Sequence, residues 1–159
     1  MHRFQIPHKS LLGTSLFLIL FSACASLGTP EDQDQGAALW GEMNGHEAWA
    51  SFAGHEGMQP SRAPHGKFVI TTINDVAAAD QANLAPGSIV VKDNYASEDP
   101  SSLKASTVMK KIPGYDPENG DWYWARYTPK GELTHAGKVS MCIDCHFDAD
   151  GEDLIFLND

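Results

Sequence analysis

The apolar positions of this chain fall into three regimes. Across 11–21 they form one uninterrupted run (LLGTSLFLILF); across 37–52 they recur at helical spacing through Leu39, Trp40, Met43 and Ala50; from Phe68 onward they lie in short segments rich in β-branched and aromatic residues, parted by Gly, Pro, Asn and Asp. The third regime predicts strands over 68–73 (FVITTI), 88–93 (SIVVKD), 106–112 (STVMKKI) and 121–128 (DWYWARYT). Because side chains alternate along a strand, Trp122, Trp124 and Arg126 share one face of the last segment and Tyr123, Ala125 and Tyr127 the other, while Ser88, Val90 and Lys92 stand opposite Ile89 and Val91. Asn74 and Asp75 can accept hydrogen bonds from the unpaired N–H groups of a first helical turn, which predicts a short helix over 76–83. In 37–52, Gly41 and Gly45 each weaken the helix by up to about 1 kcal/mol relative to Ala, so packing of Trp40 and Trp49 has to hold it. Turns come from Pro86-Gly87, from Asp116-Pro117-Glu118-Asn119-Gly120 and from Pro129-Lys130-Gly131. These elements add up to a single α+β domain, a mostly antiparallel sheet flanked by a few short helices.

The N-terminal run obeys different rules. Arg3 and Lys9 are the only formally charged residues ahead of Glu31, and the 11-residue apolar run is short of the roughly 18–20 residues of a spanning helix. Residues 1–23 therefore read as an export signal, by one of two routes. Ala23-Cys24-Ala25 fits ordinary cleavage after Ala25, whereas Phe21-Ser22-Ala23-Cys24 resembles a bacterial lipobox that would leave Cys24 as a lipidated N-terminus and the membrane's only hold on the chain. Either route places the protein on the periplasmic or outer-surface side of a bacterial membrane. The polar, acidic stretch 24–36 reads as a flexible tether, and 37–159 as the folded domain. A formal net charge of −10 over 159 residues repels phosphate backbones and argues against nucleic acid as a partner.

The strongest chemical signal is Cys142-Ile143-Asp144-Cys145-His146, a C-x-x-C-H motif of the kind that attaches c-type haem. One turn of chain sets two sulfurs against the two haem vinyl groups, and the next imidazole reaches the iron, so the expectation is one covalent haem c per chain with His146 as metal ligand. Two other readings compete. A disulfide or thioredoxin-like pair belongs after an early strand of a βαβ unit, whereas this motif lies near the C-terminus. A zinc site would need a second ligand pair, and there is no second Cys pair. No Met follows His146, so a second axial ligand would have to come from Met58, Met109, Met141, His65 or His135, none marked by its spacing. An iron with an open sixth position follows, which favours ligand chemistry over plain electron transfer. The Trp122, Tyr123, Trp124, Tyr127 cluster either stacks on haem or fills the core, and Arg126 pairs either with a haem propionate or with a surface carboxylate.

Several linked motifs then carry a resemblance over roughly 37–157: Pro64-His65-Gly66, Asn74, the segment from Pro86 to Asp93 (PGSIVVKD), Val108-Met109-Lys110-Lys111, Gly114-Tyr115-Asp116-Pro117, the segment from Asn119 to Ala125 (NGDWYWA), the haem motif and Leu154-Ile155-Phe156. Together they resemble the cytochrome P-460 family, which includes the cytochromes c′-beta. The resemblance implies a β-rich haem c domain, often a homodimer, whose five-coordinate iron binds or oxidises small nitrogen species such as hydroxylamine and nitric oxide, with a redox partner protein where it is an enzyme. It also implies a role for Lys92: oxidising members carry a lysine cross-linked to the haem macrocycle, and the lysine of G-x-x-x-V-K-[ED] falls on Lys92. Lys92 thereby joins Cys142, Cys145 and His146 as a haem-binding residue and is the catalytic candidate, against the plainer reading of a solvated lysine on an edge strand. Ile70 stands where some oxidising members carry a distal arginine, and an apolar residue there favours a neutral diatomic such as NO over a polar substrate.

Overall fold

The structure, a computed structural model, describes residues 26–149, 151 and 153–157; the segment expected to be an export signal, its two expected cleavage routes and Cys24 lie outside the described residues. Six strands form one antiparallel sheet in chain order: β1 (Met58–Pro60), β2 (Phe68–Ile73), β3 (Ile89–Tyr95), β4 (Leu103–Lys111), β5 (Trp122–Tyr127) and β6 (Leu133–Gly137). Three short helices flank it: α1 (Pro30–Glu42), α2 (Asp75–Ala79) and α3 (Ser140–His146). The α+β expectation holds, and the four strands expected from the β-branched and aromatic segments are the four inner ones. β1 and β6 were not legible, for a physical reason: they are the sheet's edges, β1 is three residues ending in Pro, and β6 (LTHAG) has neither alternation nor a β-branched run.

Alternation sorts the inner strands into two cores. One face packs Ile73, Val90, Met109, Trp122 and Trp124 against α2, α3 and the C-terminal residues Leu154, Ile155 and Leu157. The other packs Val91, Val108, Tyr123, Ala125 and Tyr127 against Leu39 and Met43 of α1.

The tether expectation is corrected at this second core, because α1 begins at Pro30 rather than near Ala37 and ends at Glu42. Thr29 caps it in a reciprocal capping box with Asp32, Pro30 occupies the first turn, and Glu31 and Asp32 place negative charge at the helix N-terminus. The acidic residues that read as disordered are thus the first turn of a helix. Gly36 allows the close approach: a Cβ there would lie 2.7 Å from Leu133 and 2.8 Å from the Tyr123 hydroxyl. The sheet in turn donates to the helix backbone, Tyr123 to the Asp32 carbonyl at 2.5 Å and Tyr127 to the Gly36 carbonyl at 2.8 Å. Past Gly41 the chain turns, and His46–Ala48 forms a single 3₁₀ turn instead of continuing the helix. α2 starts as foreseen, with Asn74 accepting from the Ala77 N–H at 3.1 Å, but stops at Ala79.

Candidate functional site

The face that carries the first core also carries the site. Antiparallel register lines up Thr71, Lys92, Thr107, Arg126 and His135 as successive partners across β2 to β6, and two residues along the strands it lines up Ile73, Val90, Met109 and Trp124 on the same face. A polar row therefore runs beside an apolar one. Lys92 sits on a central strand and is 8% exposed, so the reading of a solvated edge lysine does not hold.

Two adjoining hollows open on this face. The first, about 30 Å³, is walled by Val90, Lys92, Met109 and Phe156. The second, about 250 Å³, is walled by Arg126, His135, Met141, Cys142 and Cys145. His65, Thr107, Trp124 and His146 border both, so the two are halves of one mainly apolar slot.

α3 delivers the haem motif to the slot. Its seven residues leave Cys142 half-buried and Cys145 exposed, while His146 is turned inward to 7% exposure. The His146 Nδ1 lies 2.6 Å from the Leu154 carbonyl oxygen. A carbonyl only accepts, so Nδ1 is the donor nitrogen, and Nε2 is the one suited to a metal. Trp124, Phe156 and His65 meet the imidazole edge-on, at centroid distances of 4.7, 5.5 and 5.9 Å, and hold the ring plane. Leu154 itself has φ of +55°, a left-handed conformation uncommon for leucine, at the point where its carbonyl takes this bond.

His65 is fixed as closely. Asn94 donates through its amide nitrogen to the Lys92 and Ala105 carbonyls at 3.0 and 3.1 Å, which leaves its oxygen as acceptor for the His65 Nδ1 at 3.1 Å. The Thr107 hydroxyl donates to the Lys92 carbonyl and lies 3.2 Å from the same Nδ1. The C-terminal segment 153–157 then straps the slot. Asp153 accepts from the Leu84 N–H at 2.8 Å and pairs with Lys111, and Lys92 Nζ donates to the Phe156 carbonyl at 3.4 Å.

These residues fit a haem. The slot combines apolar walls, an inward imidazole of defined tautomer and the polar pair Arg126 and His135 on one rim; Trp124 adds a buried indole Nε1 with no protein partner. Zinc fits poorly, since among the described residues no three His, Cys, Asp or Glu side chains cluster so as to hold a metal ion. A thioredoxin-like role fits poorly too: burial, with the neighbouring Cys145 adding to it, pushes the Cys142 thiol up to about 11, opposite to a redox-active cysteine.

The structure places Lys92 and His146 on the first hollow and Cys142, Cys145 and His146 on the second. It corrects the argument from Ile70. In the register Ile70 pairs with Asp93, whose carboxylate is bound by His46 and Ser106 on the α1 side, so Ile70 belongs to the opposite face. Thr71 is the β2 residue at the slot. Of the five residues weighed as second ligands, Met109, Met141, His65 and His135 border the slot. The roles of Leu154, Phe156, Asn94 and Thr107 were missed because each acts through contacts distant in sequence. Trp124 resolves to the slot wall and Trp122 to the core beneath it, whereas Tyr123 and Tyr127 serve the other core.

Among proteins of curated function none matches the chain. The family model for cytochrome P460 does match it, over residues 43–157, a span that takes in the whole sheet, the haem motif and the strap. The chain belongs to the cytochrome P460 family and is a haem cytochrome.

Proposed function

We propose that this is an exported mono-haem cytochrome in which Cys142 and Cys145 hold the haem through thioether bonds, His146 ligates the iron through Nε2, and the sixth position takes a small nitrogen species. The observation that carries the reading is the shared slot: His146, with Nδ1 committed to Leu154, and the buried Lys92 border the same hollow. The haem, when bound, supplies the redox-active iron at which such a species binds and from which electrons pass to a redox partner protein. The chain's own residues do the rest. Leu154 holds the imidazole tautomer, Trp124 and Phe156 exclude water from around it, and Arg126 and His135 offer a polar rim suited to the propionates. Lys92, which borders the same hollow, is proposed to bond the macrocycle, the feature that the resemblance ties to hydroxylamine oxidation. The chain is also proposed to form a homodimer.

A second reading, sequestration of NO without turnover, is favoured by the walls nearest Lys92, where Val90, Met109, Ile155 and Phe156 give a polar substrate few partners. One experiment separates the two. Purified holoprotein is mixed with hydroxylamine and an electron acceptor, and in parallel titrated with NO. Acceptor reduction at catalytic ratios supports oxidation; NO binding with no acceptor reduction supports sequestration. A ferrous spectrum with sharp α and β bands, unchanged by NO, would overturn both in favour of electron transfer.

A further inference from the structure

The haem motif and Lys92 lie about fifty residues apart in sequence, yet one short segment touches both. Residues 153–157 lie beyond the last helix, outside the sheet. Within them the Leu154 carbonyl accepts from His146 Nδ1 at 2.6 Å, the Phe156 ring stands 5.5 Å from the same imidazole, and the Phe156 carbonyl accepts from Lys92 Nζ at 3.4 Å. The position of this strap therefore sets the orientation of the imidazole and of the amine together.

Asp153 anchors the strap at its leading end. One carboxylate oxygen accepts from the Leu84 N–H at 2.8 Å, and the other pairs with Lys111 at the end of β4, whose ammonium lies 5.4 Å from the Trp122 ring centroid. The side chains of this pair are only 19% and 17% exposed, so water screens it less than a surface pair. Asp153 borders neither hollow. We propose that Asp153 is a positioning residue that, through the 153–157 strap, holds His146 and Lys92 in register with the haem. The proposal rests on the reading of His146 as iron ligand.

The test uses the full-length holoprotein. A hydrogen bond at Nδ1 makes the imidazole a stronger ligand, so the iron–histidine stretch of the ferrous protein in resonance Raman reports the Leu154 contact. Lys92 is read separately by proteolysis and mass spectrometry, as the yield of haem-bound Lys92 or, where none forms, its acetylation by acetic anhydride. Asp153→Asn keeps an acceptor for Leu84 and loses the ion pair. It should lower or broaden the iron–histidine band and change the Lys92 readout several-fold; Asp153→Ala should do so further. Lys111→Met should reproduce Asp153→Asn, and Lys111→Arg, which keeps the pair, should stay near wild type. Unchanged band and unchanged Lys92 readout in both Asp153 variants, with only a lower melting temperature, would overturn the proposal. A wild-type protein whose ferrous haem is five-coordinate and high-spin yet shows no iron–histidine band would instead sink the ligand assignment, and the Lys92 readout would then decide the strap by itself.

Discussion

Within His146 the two ring nitrogens have separate tasks, and the Leu154 carbonyl assigns them. Replacing Cys142 and Cys145 together by Ala should leave haem that extracts into acidified organic solvent, whereas the wild-type haem should stay on the chain and give a c-type pyridine haemochrome; extraction from the wild type would remove covalent attachment. His146→Gly should keep the covalent haem but lose the iron–histidine band. Lys92 has its own readout. In the wild type, proteolysis should yield one haem-bearing species that joins the Lys92 peptide to the 142–146 peptide, with a red-shifted ferrous Soret band that reverts in Lys92→Leu. Clean separation of the two peptides in the wild type, together with measured hydroxylamine oxidation, would break the link between Lys92 and catalysis. Met109→Leu should leave the ferrous spectrum unchanged, because Met109 is core as well as wall; a loss of low-spin bands in that variant would show that it ligates.

At the scale of elements, α1 and the core it completes lie on the face of the sheet opposite the slot. α1 packs on the face that carries Tyr123 and Tyr127, away from the slot. Thr29→Ala removes the cap and should cost about 1 kcal/mol. Gly36→Ala forces a Cβ against Leu133 and the Tyr123 hydroxyl and should cost roughly 1–3 kcal/mol by overpacking. Both should lower the thermal midpoint while leaving the ferrous and ferric spectra as in wild type. A spectral change in either would show that the two faces are coupled. α1 is also the element that sequence patterning misjudged most. Its first turn is acidic and lacks apolar periodicity, and its stability comes from the cap, from Gly36 and from two tyrosine hydroxyls almost a hundred residues away, none of which a local window contains.

For the whole molecule, the buried pair of His46 and Asp93 ties the turn after α1 to β3, Nε2 to Oδ2 at 3.0 Å, with the Ser106 hydroxyl donating to the other carboxylate oxygen at 2.5 Å. Burial by itself would depress the imidazole, but the Asp93 hydrogen bond and charge, the nearby Glu47 carboxylate and the Met43 carbonyl outweigh it, and the net shift is upward. A histidine raised in the folded state adds stability that is fully present below its unfolded value of about 6.5 and is lost as pH rises through the folded one. The stability difference between wild type and His46→Gln should therefore be largest in mildly acidic buffer and shrink as the solution is made alkaline, measured by urea unfolding across the range. A difference that grows with pH would mean that His46 is held neutral.

The sequence by itself determined what is local: the four inner strands by their β-branched and aromatic segments between turn residues, the two faces of those strands by alternation, the start of α2 by Asn74, the haem motif by one helical turn between its cysteines, and the family by several linked motifs. These are legible because each depends on residues a few positions apart. Only the tertiary structure decided what depends on register and on closure of the chain. A strand's side chains alternate, so a single step separates Ile70 from Thr71, and only the pairing of β2 with β3 shows that Thr71 faces the slot and Ile70 does not. In the same way no spacing could show that the last residues return to set the tautomer of His146, because a backbone carbonyl has no sequence signature and is placed only when the chain folds around it.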